Sequence, residues 1–119
     1  MGTNQLPPAD GQCRIGPYLL HLRSGELHGA GSSMRRITPQ AVAVLRALGA
    51  AGGAVLSKDE LFDKAWSGRV VSDAALASCI QELRDALGDD ARQPRFIATL
   101  HRRGYRLLVP WSAESAGRI

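Results

Sequence analysis

The stretch that decides the fold runs from residue 72 to residue 110, SDAALASCIQELRDALGDDARQPRFIATLHRRGYRLLVP. Its first half has helical periodicity. Leu76, Ile80, Leu83 and Leu87 are spaced 4, 3 and 4 residues apart. At 100° per residue they fall within about 60° of one another, a narrow apolar stripe. Ser72 is a good N-cap and Gly88 a good stop. The second half changes period. RFIATLH and YRLLVP read as strands joined by a tight turn through Arg102, Arg103 and Gly104. His101, Arg102, Arg103 and Arg106 concentrate positive charge on that hairpin.

Two further helices precede this stretch. TPQAVAVLRALGAAGG opens with Thr38 as N-cap and Pro39 in the first turn. Ala41, Val44, Leu45 and Leu48 share one face, and Gly52-Gly53 ends the run. SKDELFDKAW opens with a capping box, Ser57 with Glu60, in which each side chain satisfies a backbone N–H. Leu61 and Ala65 are expected inward, with Phe62 and Trp66 beside them. Before the helices, Cys13 to Ile37 reads as short strands and turns. Residues alternate in YLLHLRSGEL, Ser24-Gly25 signals a turn, HGAGSS a loop, and MRRI a last strand. The expected class is α+β: a small antiparallel sheet, three helices, then a hairpin. Residues 1–12 read as a disordered leader and 111–119 as a tail.

Composition bounds the function. A chain of 119 residues with 45% hydrophobic and 22% charged residues fits one globular domain. No apolar run is long enough for a transmembrane helix, and the N-terminus lacks the pattern of a secretory signal. Cys13 and Cys79 are far apart, without metal-type spacing, so free thiols in a reducing cytoplasm are expected. His21, His28 and His101 show no metal spacing either. There is no G-x-S-x-G, H-E-x-x-H or P-loop, and the carboxylates do not converge in sequence. Neither an enzyme nor a cofactor is expected. The net charge of +4 is a weak pointer to a polyanion; its distribution says more. Ala91 to Arg106 carries five arginines and no acid, whereas Ser57 to Asp90 carries eight acids against four bases.

Two helices joined by a short connection and followed by a hairpin make a winged helix-turn-helix. A helix about 10–12 Å across fits a major groove about 12 Å wide, provided that its outer face is free. In the third helix, Ala74, Ser78, Gln81, Glu82 and Asp85 lie opposite the apolar stripe, with Arg84 on the flank. The hairpin arginines would lie along phosphates or in a neighbouring minor groove.

On these elements the chain resembles the DNA-binding domain of the OmpR/PhoB family of bacterial transcription regulators. ITPQAVAVLRAL resembles its first helix and GGAVLSKDELFDKAW its second. VSDAALASCIQELRDALGDD resembles the recognition helix, and PRFIATLHRRGYRLL the wing. The likeness covers residues 13–110 and is strongest to CadC-like and multidomain members, in which this domain is fused to others. It implies sequence-specific binding of double-stranded DNA in signal transduction, in a family tied to phosphorelays. It implies that Ser78, Gln81, Glu82, Arg84 and Asp85 face the major groove. Trp66 and Thr99 match phosphate-facing positions, and Arg102 and Arg103, with His101 beside them, match the wing tip. The loop Ser67 to Val71 matches a segment facing RNA polymerase, and two copies on tandem half-sites are implied.

Two departures stand out. Asp73, Glu82, Arg84 and Asp85 sum to −2 on a helix that is often basic in the family. Phosphate attraction is therefore expected from the wing, with Arg35 and Arg36 as further candidates. A receiver domain is not expected ahead of the DNA-binding part in these residues, nor a phosphoryl acceptor of the usual kind. The acidic helix also motivates a second reading, a winged helix that docks a basic protein partner.

Overall fold

The computed structural model describes residues 11–29, 34–67, 69 and 71–114. The chain runs through β1 (Gln12–Ile15), β2 (Tyr18–His21), β3 (Glu26–His28), β4 (Met34–Arg36), α1 (Pro39–Ala50), α2 (Lys58–Ala65), α3 (Asp73–Leu87), β5 (Ile97–Leu100), β6 (Gly104–Leu107) and β7 (Trp111–Glu114). The expected order of sheet, three helices and hairpin is present. One strand is added.

The helices begin as their capping residues dictate. Thr38 Oγ1 accepts from the Ala41 N–H, Ser57 and Glu60 form the reciprocal capping box, and Ser72 accepts from the Ala75 N–H. Gly88 ends α3 in the left-handed region, φ 68°, where glycine pays no Cβ penalty. The α3 stripe packs inward as its spacing predicts: Leu76, Ile80, Leu83 and Leu87 are all buried, against Leu45, Leu48 and Leu61 of the other helices. Each such side chain contributes about 1.5–3 kcal/mol by leaving water. Ala65 is only half-buried.

The first sheet is antiparallel, in the order β4-β3-β2-β1-β7. Ile15, Leu20 and Leu27 turn to the helices and are buried. Tyr18 fastens the sheet to α3: its hydroxyl donates to the Leu87 carbonyl at 2.9 Å, and its ring meets Phe96 edge-on.

The leader and tail boundaries need correction. β1 begins at Gln12, inside the expected leader, and Gly11 accepts from the Leu22 N–H. Trp111–Glu114, inside the expected tail, pairs with β1 in a register that sets Ile15 opposite Trp111. Two physical features hold this strand. β1 offers a free edge, and Gly49 on α1 leaves room for the Trp111 indole, which a Cβ at that position would overlap. The remaining parts of the leader, residues 1–10, and of the tail, 115–119, lie outside the described residues, as do residues 30–33 of the HGAGSS loop.

β5 and β6 form a separate two-stranded sheet, with Thr99 opposite Tyr105. A backbone bridge anchors this wing to the body: the Leu56 N–H donates to the Tyr105 carbonyl at 2.9 Å, and the Tyr105 N–H to Leu56 at 3.0 Å. Gly104 makes the approach possible. It has φ 138°, and a Cβ there would overlap the Leu56 carbonyl and lie 2.9 Å from the Ser57 Cα. Its role is therefore close contact with the segment before α2 as much as the turn itself.

Candidate nucleic-acid interface

α3 presents one face to the core and the opposite face to solvent. Ala74, Ser78, Gln81 and Asp85 are all exposed. At 100° per residue they fall within about 60° of one another and point away from the Leu/Ile stripe. Gln81 and Asp85, one turn apart, are joined: Gln81 Nε2 donates to Asp85 Oδ1 at 2.9 Å.

The two charged residues that flank this outer stripe are committed elsewhere. Glu82 was expected to face the groove. Instead its carboxylate turns to the start of α1, where Oε2 accepts from the Thr38 N–H at 2.6 Å and Oε1 from the Thr38 hydroxyl at 3.0 Å. Helix N-termini carry partial positive charge and unsatisfied N–H groups, so a carboxylate is favoured there.

Arg84 departs further from expectation. It is 6% exposed and faces the wing, not the groove. Its Nη2 donates to the Ile97 carbonyl at 3.0 Å and to Thr99 Oγ1 at 2.8 Å. Its Nε lies 4.0 Å from Asp89 Oδ2. The guanidinium sits where α3 meets β5, and its Nη2 alone, with two N–H donors, serves both the carbonyl and the hydroxyl.

Asp89 completes this joint. Its buried carboxylate accepts from the N–H groups of Arg95 (2.7 Å), Phe96 (3.2 Å) and Ile97 (3.0 Å). Burial pushes its pKa up, but the backbone donors outweigh that and hold it below the usual carboxylate value. In the sequence Asp89 looks like a loop residue; its signal was the position directly after the helix-ending Gly88, where a carboxylate can receive the returning chain.

The wing tip is a three-residue turn, His101–Arg103, closed by the Arg103 N–H to the Leu100 carbonyl at 2.9 Å. His101, Arg102, Arg103 and, on β6, Arg106 are exposed. Arg102 adopts φ 65°, a left-handed conformation that costs an L-residue about 1–2 kcal/mol. Thr99 is exposed at the wing's edge, its hydroxyl occupied by Arg84. The wing lines a groove with the start of α2, where Lys58 is exposed and pairs with Asp73 at 3.2 Å. Lys58 gave no signal in the sequence because Asp59 and Glu60 follow it.

Trp66 is 6% exposed and meets Phe62 edge-on at 5.7 Å. Its place is the core, with little surface to offer a phosphate. Arg35 and Arg36 are exposed on edge strand β4 and line a groove with Ser78, Gln81, Glu82 and Asp85, so Glu82 borders this groove while its carboxylate holds Thr38. Arg36 pairs with Glu26 at 2.9 Å. Arg35 lies opposite the buried Leu27 in the register, hence on the helix side of the sheet. Burial pushes the Cys13 and Cys79 thiols up, which disfavours the nucleophilic thiolate. Among the described residues no group of three or more His, Cys, Asp or Glu converges on a metal site, and no helix is long and apolar enough to cross a membrane.

Three helices with a free outer stripe on the third, and a basic hairpin docked beside it, define a winged helix-turn-helix. Residues 32–107 match the family described as transcriptional regulatory protein, C terminal. The chain belongs to that family, the OmpR/PhoB-type DNA-binding domains of transcription regulators. It is 34% identical over 107 residues to the transcriptional activator CadC of Escherichia coli K12, covering 87% of this chain and 21% of CadC. It is 39% identical over 74 residues to the transcriptional regulator HilA of Salmonella typhimurium, covering 62% of this chain and 13% of HilA. The chain thus spans about a fifth of CadC and less of HilA. Among solved structures, the DNA-binding domain of E. coli CadC superposes with a TM-score of 0.74 at 31% identity, covering 85% of this chain and 94% of that one. The Klebsiella pneumoniae RstA DNA-binding domain, in complex with the RstA box, has the same fold, with a TM-score of 0.68 at 20% identity and coverage of 81% and 95%.

Proposed function

We propose that this chain binds double-stranded DNA in a sequence-specific way as part of a bacterial transcription regulator. The observation that carries the reading is the outer stripe of α3, exposed between two basic flanks. Arg35 and Arg36 border it on the sheet side, and the wing with Arg102 and Arg103 lies on the Arg84 side. The stripe enters the major groove, where base edges differ, while the flanks hold phosphates and the wing tip reaches a minor groove. Arg102 supports this: a strained turn position that glycine would fill at no cost holds an arginine instead. The relatives' printed names, a transcriptional activator and a DNA-binding domain, support the same reading.

Two finer assignments follow from the family. The loop Ser67 to Val71 is the segment offered to RNA polymerase; Ser67 and Arg69 are exposed, while Gly68 and Val70 lie outside the described residues. Two copies occupy tandem half-sites on one DNA. The rival reading, docking of a basic protein on an acidic helix, loses force because Glu82 is taken by Thr38 and Asp73 is paired with Lys58.

The test is a titration of the folded chain with a pool of random-sequence duplexes at low salt, followed by selection. Retention of duplex and enrichment of a defined motif are expected. A folded chain that retains no duplex would overturn the proposal.

A further inference from the structure

We infer that Asp85 reads a cytosine: the outer stripe of α3 recognises the N4 amino group of one cytosine in the major groove, with Gln81 holding the carboxylate in place. This rests on the DNA-binding reading and specifies what the same surface selects.

The inference comes from counting what α3 can donate and accept. Guanine is most often read by an arginine or lysine that donates to its O6 and N7 acceptors. α3 has a single basic residue, Arg84, and it is buried with its Nη2 spent on Ile97 and Thr99. Lysine is absent from the helix. Glu82 holds Thr38 with both carboxylate oxygens, which turns it to the edge of the stripe. The stripe that remains consists of an alanine, a serine, Gln81 and Asp85.

Within it the Gln81–Asp85 bond sets the polarity. A carboxylate only accepts, so Gln81 must turn its NH₂ toward Asp85 and its carbonyl oxygen away. The pair therefore presents acceptors: Asp85 Oδ2 and Gln81 Oε1. In the major groove the exposed donors are the amino groups of cytosine and adenine. Adenine places its N7 acceptor beside N6, where it repels a carboxylate; cytosine has no acceptor beside N4 on its own edge. Guanine O6 and N7 and thymine O4 are repelled outright. Cytosine is the base that an acceptor pair of this kind favours. The exposed Arg35 and Arg36, which line the same groove, allow the carboxylate to approach the phosphate-rich surface.

The experiment is selection from a random duplex pool by the 119-residue chain and by its Asp85→Ala and Asp85→Asn variants, each checked for folding by circular dichroism. The wild-type motif is expected to contain one C·G pair preferred about 5-fold or more over the alternatives, the lower end of a good side-chain–base contact because one amino group is read. Asp85→Ala is expected to flatten that position alone. Asp85→Asn, which adds a donor beside an acceptor, is expected to move it toward adenine. Gln81→Ala weakens the cytosine preference without abolishing it. The inference is overturned by a wild-type motif whose every position survives Asp85→Ala, or by an A·T pair at the position that Asp85→Ala flattens. If a folded wild-type chain retains no duplex at all, the DNA-binding reading fails and this inference with it; a motif without an Asp85-dependent cytosine defeats the inference alone.

Discussion

Glu82 of α3 closes on Thr38 at the start of α1 through both carboxylate oxygens, one on the backbone N–H at 2.6 Å and one on the hydroxyl at 3.0 Å. Thr38 is itself the N-cap of α1, so this contact fixes how α3 sits against the helix behind it.

Glu82→Ala is therefore expected to act on stability. A charge-assisted pair at a half-exposed site contributes about 1 kcal/mol once solvent screening is allowed for. The denaturant midpoint should fall by a corresponding amount with an unchanged m-value, while the DNA sequence preference stays that of the wild type. A changed preference with unchanged stability would restore Glu82 to the groove.

Arg84→Met tests the buried joint between α3 and the wing. The substitution strands Asp89 without its cationic neighbour and leaves the Ile97 carbonyl and Thr99 hydroxyl without their donor. The buried Ile97 carbonyl left without its donor costs about 1–3 kcal/mol, since Asp89 keeps its backbone N–H donors. Urea unfolding should show a loss in that range, larger than that of Glu82→Ala. A loss below about 1 kcal/mol would mean that the guanidinium is solvated and free to reach DNA.

Asp89 makes stability depend on acid. Its folded pKa lies below the ordinary value of about 3.9. A depressed carboxyl contributes stability that is complete above the unfolded pKa and lost as pH falls through the folded one. The wild type should weaken as pH drops below about 4. Glu26, lowered by its Arg36 and then His28 partners, shifts in the same direction, so the difference from Asp89→Asn isolates the Asp89 share. The difference in thermal stability between the two proteins should shrink as pH falls from 7 to 3. Parallel curves across that range would contradict the assignment.

Arg102→Gly separates folding from binding. Glycine accepts the φ of 65° without strain, so stability should hold or rise by up to about 1 kcal/mol. Duplex affinity should fall, because a charged tip residue is lost. Affinity equal to wild type would make the strained arginine irrelevant to DNA.

The elements were legible because they rest on local signals. Thr38-Pro39, the Ser57–Glu60 box, Ser72 and Gly88 mark helix ends by hydrogen bonding that needs no tertiary partner. The Leu76–Leu87 stripe predicted the buried face, and its opposite face held Ser78, Gln81 and Asp85. What periodicity missed depends on distant chain. Arg84 lies between the two faces, and only the arrival of β5 with Ile97 and Thr99 buries it. Glu82 looks solvated until α1 brings Thr38 beside it. β7 was hidden because WSAE is short and its partner β1 is nearly a hundred residues earlier.

The central claim is that a wing-driven phosphate grip delivers an outward, non-basic α3 to the major groove. The most direct measurement is the slope of log affinity against log salt for one duplex, compared between the wild type and Arg102→Ala/Arg103→Ala. Each phosphate contact contributes about −0.9 to that slope. The double variant should bind more weakly, with a slope shallower by about 2 and an unchanged order of preference among sequences. A slope equal to wild type, or a changed order of preference, would contradict the account.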